Sequence, residues 1–254
     1  MSRLEVEREH EVWKRKQGSF LKMSTSSSVL GVLQLDSVPQ TLPGSMSNPN
    51  TFRFPIVCRR VRGASVKTVV SGTNDEEMRA AFVAVAKDLV REGATAITTN
   101  CGFTIKYQAE MAEALPVPVS LSSLLLLPYI LSTIKGRVGI VTFDSRPLTP
   151  DILKCSGIED QDRIAIRGIE DSLTWSAMSE PENKTTIQQM AHDVLTATAL
   201  MRSQYDDIQA ILFECAGFTS VTSHIRAQTR LPIFDAVTNA KLLMSGHNLT
   251  LPSG

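Results

Sequence analysis

Cysteine is scarce in this chain of 254 residues: four occur, at 58, 101, 155 and 215, with no CxxC pair and no Cys/His spacing of the zinc type. That argues against a disulfide scaffold and against structural zinc. Histidine is equally sparse, at 10, 192, 224 and 247, and none stands at a signature distance from a Ser or Cys. Walker A, GxGxxG and HExxH motifs do not occur, which removes the common phosphate, dinucleotide and zinc-protease signatures. Neither sign of charge is in excess, with 26 Lys+Arg against 26 Asp+Glu. Composition therefore supplies no basic face for nucleic acid, and a small neutral or anionic molecule is the expected partner. The longest apolar stretch, 121–134, is interrupted by Ser122, Ser123, Pro128, Ser132 and Thr133 and is too short for a bilayer. The N-terminus is charged and does not resemble a signal peptide, so a reducing cytoplasm, where free thiols persist, is the expected compartment.

What the chain does contain is a repeat. Ala-Ile-Thr-Thr-Asn-Cys-Gly-Phe-Thr at 96–104 is echoed by Ala-Ile-Leu-Phe-Glu-Cys-Ala-Gly-Phe-Thr at 210–219, which sets Cys101 and Cys215 114 residues apart. The same offset carries Pro118 onto Pro232, and an offset of 108 carries the 31–37 run ending in Asp36-Ser37 onto the 139–145 run ending in Asp144-Ser145. Three landmarks in the same order indicate a duplicated unit that presents two cysteines to one pocket.

The composition divides the chain into a charged extension over 1–27, a first α/β lobe over 28–134 carrying Cys101, and a second over 135–254 carrying Cys215. Met23, just before a Ser/Thr tract, is an alternative start that would leave residues 1–22 outside the mature protein. Apolar runs at 29–35, 94–99, 117–121, 137–143, 164–169, 208–213 and 232–234 read as buried strands. They alternate with helical patterns at 78–92, 103–115, from 149, at 184–203, after Cys215 and at the C-terminus, which predicts parallel sheets. Residues 37–65, rich in Pro, Ser, Asn and Gly, read as a long loop covering a site.

Ligands of parallel α/β sheets bind at the carboxyl ends of strands, where both cysteines sit. At a strand-to-helix turn the helix dipole and unpaired N–H groups favour thiolate, so both thiol pKa values are expected to fall toward neutrality. Cys58 and Cys155 have no matched partners and read as structural. Asp36 closes the first strand and is either a turn residue or the acid that orients the first thiol. Asp144 reads as a turn residue, with Thr142 the polar group pointing inward beside it. Ser122 and Ser123 either donate to a substrate carboxylate or cap the next helix, and Thr238 holds the matching place in the second half. Asn48, in an Asn-Pro turn, offers an amide from the covering loop, and Thr99, Asn100, Gly102, Glu214 and Ala216 flank the two thiols as substrate-contacting candidates. A carboxylate at Glu214 would raise the pKa of Cys215, which makes Cys101 the readier base and Cys215 the readier acid.

Thr99-Asn100-Cys101-Gly102, Glu214-Cys215, Asp36, the Asn48-Pro49-x-Thr51-Phe52-x-Phe54-Pro55 segment and Val-Pro-Val before Ser122-Ser123 together resemble the aspartate/glutamate/hydantoin racemase superfamily over about residues 29–240. The resemblance implies two pseudo-symmetric flavodoxin-like lobes with the active site in the cleft between them. It also implies no pyridoxal phosphate, other cofactor or metal. It implies an isomerase: a racemase or epimerase of a small carboxylate, amino acid or hydantoin-like compound, in which one of Cys101 and Cys215 removes the α-proton and the other returns one on the opposite face. A maleate-type cis–trans isomerase with Cys101 as nucleophile is the alternative, and a binding protein of the same fold is a third. Arylmalonate decarboxylases of the family manage with one cysteine, which two cysteines argue against. A homo-oligomer is expected for an α/β enzyme of this size. Where relatives carry an Asn after the second cysteine, this chain has Ala216-Gly217-Phe218-Thr219, so the substrate stays open.

Overall fold

The computed structural model describes residues 28–37, 42–71, 75–180 and 184–247. The expectations for 1–27 and Met23 lie outside them. In the first half, β1 (Leu30–Gln34), β2 (Ile56–Arg60) and β3 (Ala96–Thr99) form a parallel sheet in the order β2-β1-β3. In the second, β4 (Arg137–Thr142), β5 (Ile164–Gly168), β6 (Ile208–Phe213) and β7 (Ile233–Phe234) form a parallel sheet in the order β5-β4-β6-β7.

The duplication is visible in the register. Gly31 pairs with Ile97 and Gly139 with Ile211, so the offsets of 108 and 114 align the same two central strands. The fourth position differs. Ile211 pairs with Ile233 of β7, whereas its counterpart is a single bridge between Ile97 and Val119 rather than the strand expected over 117–121. The first sheet keeps the position and not the full ladder.

Helices α1 (Val66–Ser71), α2 (Asp75–Arg91), α3 (Gln108–Ala114) and α4 (Leu127–Thr133) belong to the first half by sequence. Helices α5 (Pro150–Lys154), α6 (Leu173–Ser179), α7 (Ile187–Gln204), α8 (Thr222–Thr229) and α9 (Ala236–Ser245) belong to the second. In α2, Asp75, Glu76 and Glu77 complement the positive helix start, and Met78, Phe82, Ala86 and Leu89 form one buried stripe. In α7, the Thr186 side chain caps the Gln189 N–H, and Met190, Val194, Ala197 and Met201 face the core. The segment after Cys101 is a 3-10 turn (Gly102–Tyr107) before α3 begins, and the one after Cys215 is likewise a 3-10 turn (Ala216–Ser220) before α8.

The halves are tied together by exchanged helices. α4 packs against β4 of the second sheet, and α9 packs against β3 of the first. Ala236, Ala240 and Met244 share an apolar cluster with Leu30, Val32 and Ala96. Two buried polar contacts lock the seam: Ser123 Oγ donates to the Phe213 carbonyl at 2.7 Å, and the Ser120 hydroxyl meets Asn239 Oδ1 at 2.9 Å. Among the described residues no helix is long and apolar enough to cross a membrane.

The loop expected over 37–65 contains β2. Its flanks are rich in turn residues, and its own sequence, Ile-Val-Cys-Arg-Arg, carries two exposed arginines on an edge strand, where unpaired N–H and C=O groups face out. Averaging composition over the whole segment hid five strand residues.

Candidate active site

A cavity of about 420 Å³ opens where the carboxyl ends of β1, β3 and β6 meet the loop after residue 42, and both Cys101 and Cys215 line it. Each cysteine is the N-cap of its 3-10 turn, in extended conformation and with no side-chain cap of its own. The extended φ,ψ ends the strand and hands the chain to the turn, so the thiol lies beside the first N–H groups: those of Phe103 and Thr104 at Cys101, and of Gly217 and Phe218 at Cys215. Thr104 Oγ1 donates to the Cys101 carbonyl at 2.7 Å and fixes the first turn.

The residue before each cysteine is held the same way and used differently. Asn100 N–H donates to the Leu33 carbonyl, and Glu214 N–H to the Val141 carbonyl, both at 3.0 Å. The Asn100 amide then turns back, its Oδ1 accepting the Leu35 N–H at 3.0 Å. The Glu214 carboxyl, 1% exposed, accepts the Thr142 hydroxyl on Oε2 at 2.8 Å, and its Oε1 has no partner. A Cβ on Gly102 would overlap both the backbone carbonyl and the carboxylate of Glu214, so glycine is what lets the second lobe's acid reach the turn of the first.

Electrostatics run against the lowering expected for the thiols. Burial pushes Cys101 up to about 12, with the Glu214 charge adding to the rise, and its backbone N–H contacts do not compensate. Cys215 is raised well above the usual thiol range, first by burial, then by Glu214. A 3-10 turn of five or six residues has little dipole to set against desolvation, which is the reason for the correction. Burial also raises Glu214 to about 7, the Thr142 hydroxyl opposing it.

The other candidates divide. Asp36, Asn100, Gly102 and Ala216 line the cavity with the thiols and Glu214. Asp36 is exposed, and its carboxylate accepts the Gly63 N–H at 3.0 Å, a turn contact. Thr99, Asn48, Ser122 and Ser123 are not among the lining residues. Thr99 is buried at the end of β3, its hydroxyl facing the Cys101 N–H at 3.3 Å. Asn48 caps the Asn50 N–H, Ser122 caps the Leu124 N–H, and Ser123 spans the seam described above. Thr238 donates to Asp235 at the start of α9. Asp144 is a turn residue, accepting from the Arg146 backbone and side chain, which holds its carboxyl below the usual range. Of the two cysteines read as structural, Cys155 is exposed and Cys58 half-buried.

Sequence reasoning missed part of the wall. Ser45, Met46 and Ser47 come from the covering loop, Ser65 and Lys67 from the start of α1, and Met178 from α6. No motif marks them, because each reaches the cavity through the path of the chain rather than through a repeat. Met178 does have a partner in the sequence: a Cβ on Gly217 would meet its Cε at 2.8 Å, so the thioether occupies the space beside the second cysteine. Among the described residues no group of three His, Cys, Asp or Glu is placed to hold a metal.

No family model matches the chain. By sequence it is similar to a dimethylsulfoniopropionate lyase of Durusdinium sp. clade D, 29% identical over 85% of this chain and 74% of that protein. It is also similar to dimethylsulfoniopropionate lyases 7 and 6 of Emiliania huxleyi (strain CCMP1516), 28% and 29% identical over 85% and 82% of this chain. The chain spans 66% and 57% of those two proteins' own length. By structure it is similar to allantoin racemases from Klebsiella pneumoniae (TM-score 0.61, 14% identity, 86% of this chain and 87% of that one) and Pseudomonas fluorescens (0.58, 17%, 87% and 93%). An unliganded arylmalonate decarboxylase aligns with TM-score 0.54 and 13% identity, over 89% of this chain and 97% of that one. The relatives in both comparisons are enzymes. The sequence relatives overturn the expected racemase or epimerase activity, since they are lyases and the structural likeness extends to the fold alone. Two parallel sheets related by duplication are the fold that this chain shares with the allantoin racemases and the arylmalonate decarboxylase.

Proposed function

We propose that the protein is a lyase that eliminates dimethyl sulfide from 3-dimethylsulfoniopropionate or a close β-sulfonio carboxylate. The observation that carries this reading is the set of sequence relatives, which are lyases of that compound across 85% of this chain. In the reaction a base takes the α-proton, the C–H electron pair becomes the new C=C bond, and the β-carbon–sulfur pair leaves on sulfur. The products are acrylate and neutral dimethyl sulfide, and the base later returns its proton to water.

The cavity chemistry fits one-way elimination. Racemisation in both directions asks two thiols for similar pKa values near the working pH. Here burial and the same Glu214 hold both thiols above the usual range. Cys101, which follows the neutral Asn100 where Cys215 follows the acid Glu214, serves as the base. Because the sulfide departs without charge, no matching acid is needed, and Cys215 stays protonated as a donor beside the reacting carbons. A buried thiol is deprotonated rarely, and once formed the thiolate is strongly basic, which suits a weakly acidic α-carbon.

Met46, Phe143 and Met178 give the cavity an apolar wall for two S-methyl groups, and the hydroxyls of Ser47, which accepts from Gln34, and Ser65 offer donors to a carboxylate. Negative charge that develops on that carboxylate as the proton leaves is stabilised by such donors. The test is to incubate the purified protein with 3-dimethylsulfoniopropionate and follow dimethyl sulfide in the headspace and acrylate by proton NMR. Equal release of both supports the reading, and no release above a heat-inactivated control overturns it.

A further inference from the structure

Among the charged residues lining the cavity, Asp36, Lys67 and Glu180 are exposed, while Glu214 is buried at 1%. Only one of its two carboxylate oxygens is satisfied within the protein. Oε2 takes the Thr142 hydroxyl, and Oε1, lying against Gly102 between the two cysteine-bearing turns, takes nothing. A buried acceptor with no donor is rare in native proteins and calls for an explanation in terms of something that binds there. Structural acids behave otherwise in this same molecule. Buried Asp235 accepts from Thr222, from the Thr238 backbone and from the Thr238 hydroxyl, and Asp144 is closed by Arg146.

The place of the acid is also specific. The equivalent residue in the first half, Asn100, is neutral and spends its side chain on the backbone of Leu35. Among the described residues the pocket has one buried acid, set against the Gly102 turn that follows Cys101 and directly before Cys215. A fixed negative charge in a low-dielectric wall attracts a cation far more strongly than the same charge in water.

We propose that Glu214 is the fixed counter-charge for an onium group on the substrate, so that the cavity selects carboxylates whose β-substituent is a sulfonium or quaternary ammonium over neutral substituents of the same shape. This rests on the reading of the site as a β-eliminase of a sulfonio carboxylate. It adds a division of labour: the thiols address the α-carbon, the methionine and phenylalanine wall takes the methyl groups, and Glu214 takes the charge. It also couples binding to chemistry. After burial, Glu214 is the next cause that holds both thiols protonated. An onium centre arriving beside it opposes its field at the sulfur atoms, which removes the electrostatic part of the rise and leaves the larger part, due to burial.

The experiment uses two nearly isosteric ligands, 3-(trimethylammonio)propionate, whose amine is a far poorer leaving group than dimethyl sulfide, and 4,4-dimethylpentanoate. Binding to the full chain is read by calorimetry, without turnover. The wild-type protein is expected to bind the cation at least about tenfold more tightly than the neutral ligand, a difference of about 1.4 kcal/mol. Glu214→Gln is expected to reduce the ratio to within about twofold, and Glu214→Asp to retain part of it. An equal preference in Glu214→Gln, or none in the wild type, overturns the proposal. The wild-type comparison stands even if the glutamine variant does not fold. Failure of the lyase reading is separate, because it appears as absent dimethyl sulfide release whatever the binding ratio.

Discussion

Asn100 and Glu214 occupy the same position in the two halves of the molecule, each donating its N–H to a central strand at 3.0 Å, and their side chains face opposite fates. One is absorbed into the backbone at Leu35; the other is left buried with an unpartnered oxygen beside both thiols. The duplication built a symmetric pocket, and this pair made it asymmetric.

Burial of Glu214 makes stability depend on pH in a defined direction. Its pKa rises from 4.5 to about 7 on folding, so between those values the folded chain keeps a proton that the unfolded chain has released. Stability from this group is therefore greatest on the acid side and declines as pH rises through 5 to 7. Urea unfolding at pH 5 and 7.5 is expected to show a larger loss in the wild type than in Glu214→Gln, by roughly 2 kcal/mol for a shift of this size over that range.

Gly102→Ala forces a methyl group into the carbonyl and carboxylate of Glu214. Overpacking of this kind costs about 1–3 kcal/mol. The thermal midpoint should fall and activity with it, because the added atom separates the two lobes at the thiols. An unchanged midpoint would mean that the turn yields freely.

Asn100→Ala removes the acceptor of the Leu35 N–H. Leaving that buried donor unsatisfied is expected to cost about 1–3 kcal/mol. Asn100→Asp keeps an acceptor and should recover most of the stability, which chemical denaturation of the two variants separates from a packing effect.

The cysteines should label in an order set by burial. Cys155 is exposed, whereas Cys101 is buried and Cys215 half-buried, both with raised pKa values. Iodoacetamide at pH 7.5, followed by peptide mass spectrometry, is expected to modify Cys155 first and the cavity pair at least about tenfold more slowly, since the thiolate is the reactive form.

Much of this site was legible in the residues. The offsets of 114 and 108 locate both cysteines, the strand ends that carry them and the pairing Gly31–Ile97 with Gly139–Ile211, because a duplicated fold repeats its register. The inward role of Thr142 and the influence of Glu214 on Cys215 also followed from position. The direction of the thiol shifts did not, since a sequence shows a turn after a strand and not how completely the other lobe covers it. Met46, Lys67 and Met178 were invisible for a related reason: they enter the cavity through loop and helix paths that no local pattern records. The reaction itself was not legible, because the same fold occurs in proteins of different chemistries, allantoin racemases and an arylmalonate decarboxylase among them.

The central claim is that Cys101 acts as the base for elimination in a pocket it shares with Cys215. Its most direct measurement is the initial rate of dimethyl sulfide release from 3-dimethylsulfoniopropionate by the wild type, Cys101→Ala, Cys215→Ala and the double variant, each checked for a native thermal transition. Loss of a general base removes about 10²–10⁴ in rate. Cys101→Ala and the double variant are expected to fall by at least that lower factor, and Cys215→Ala by less. Release that persists at the wild-type rate in the double variant would contradict the account.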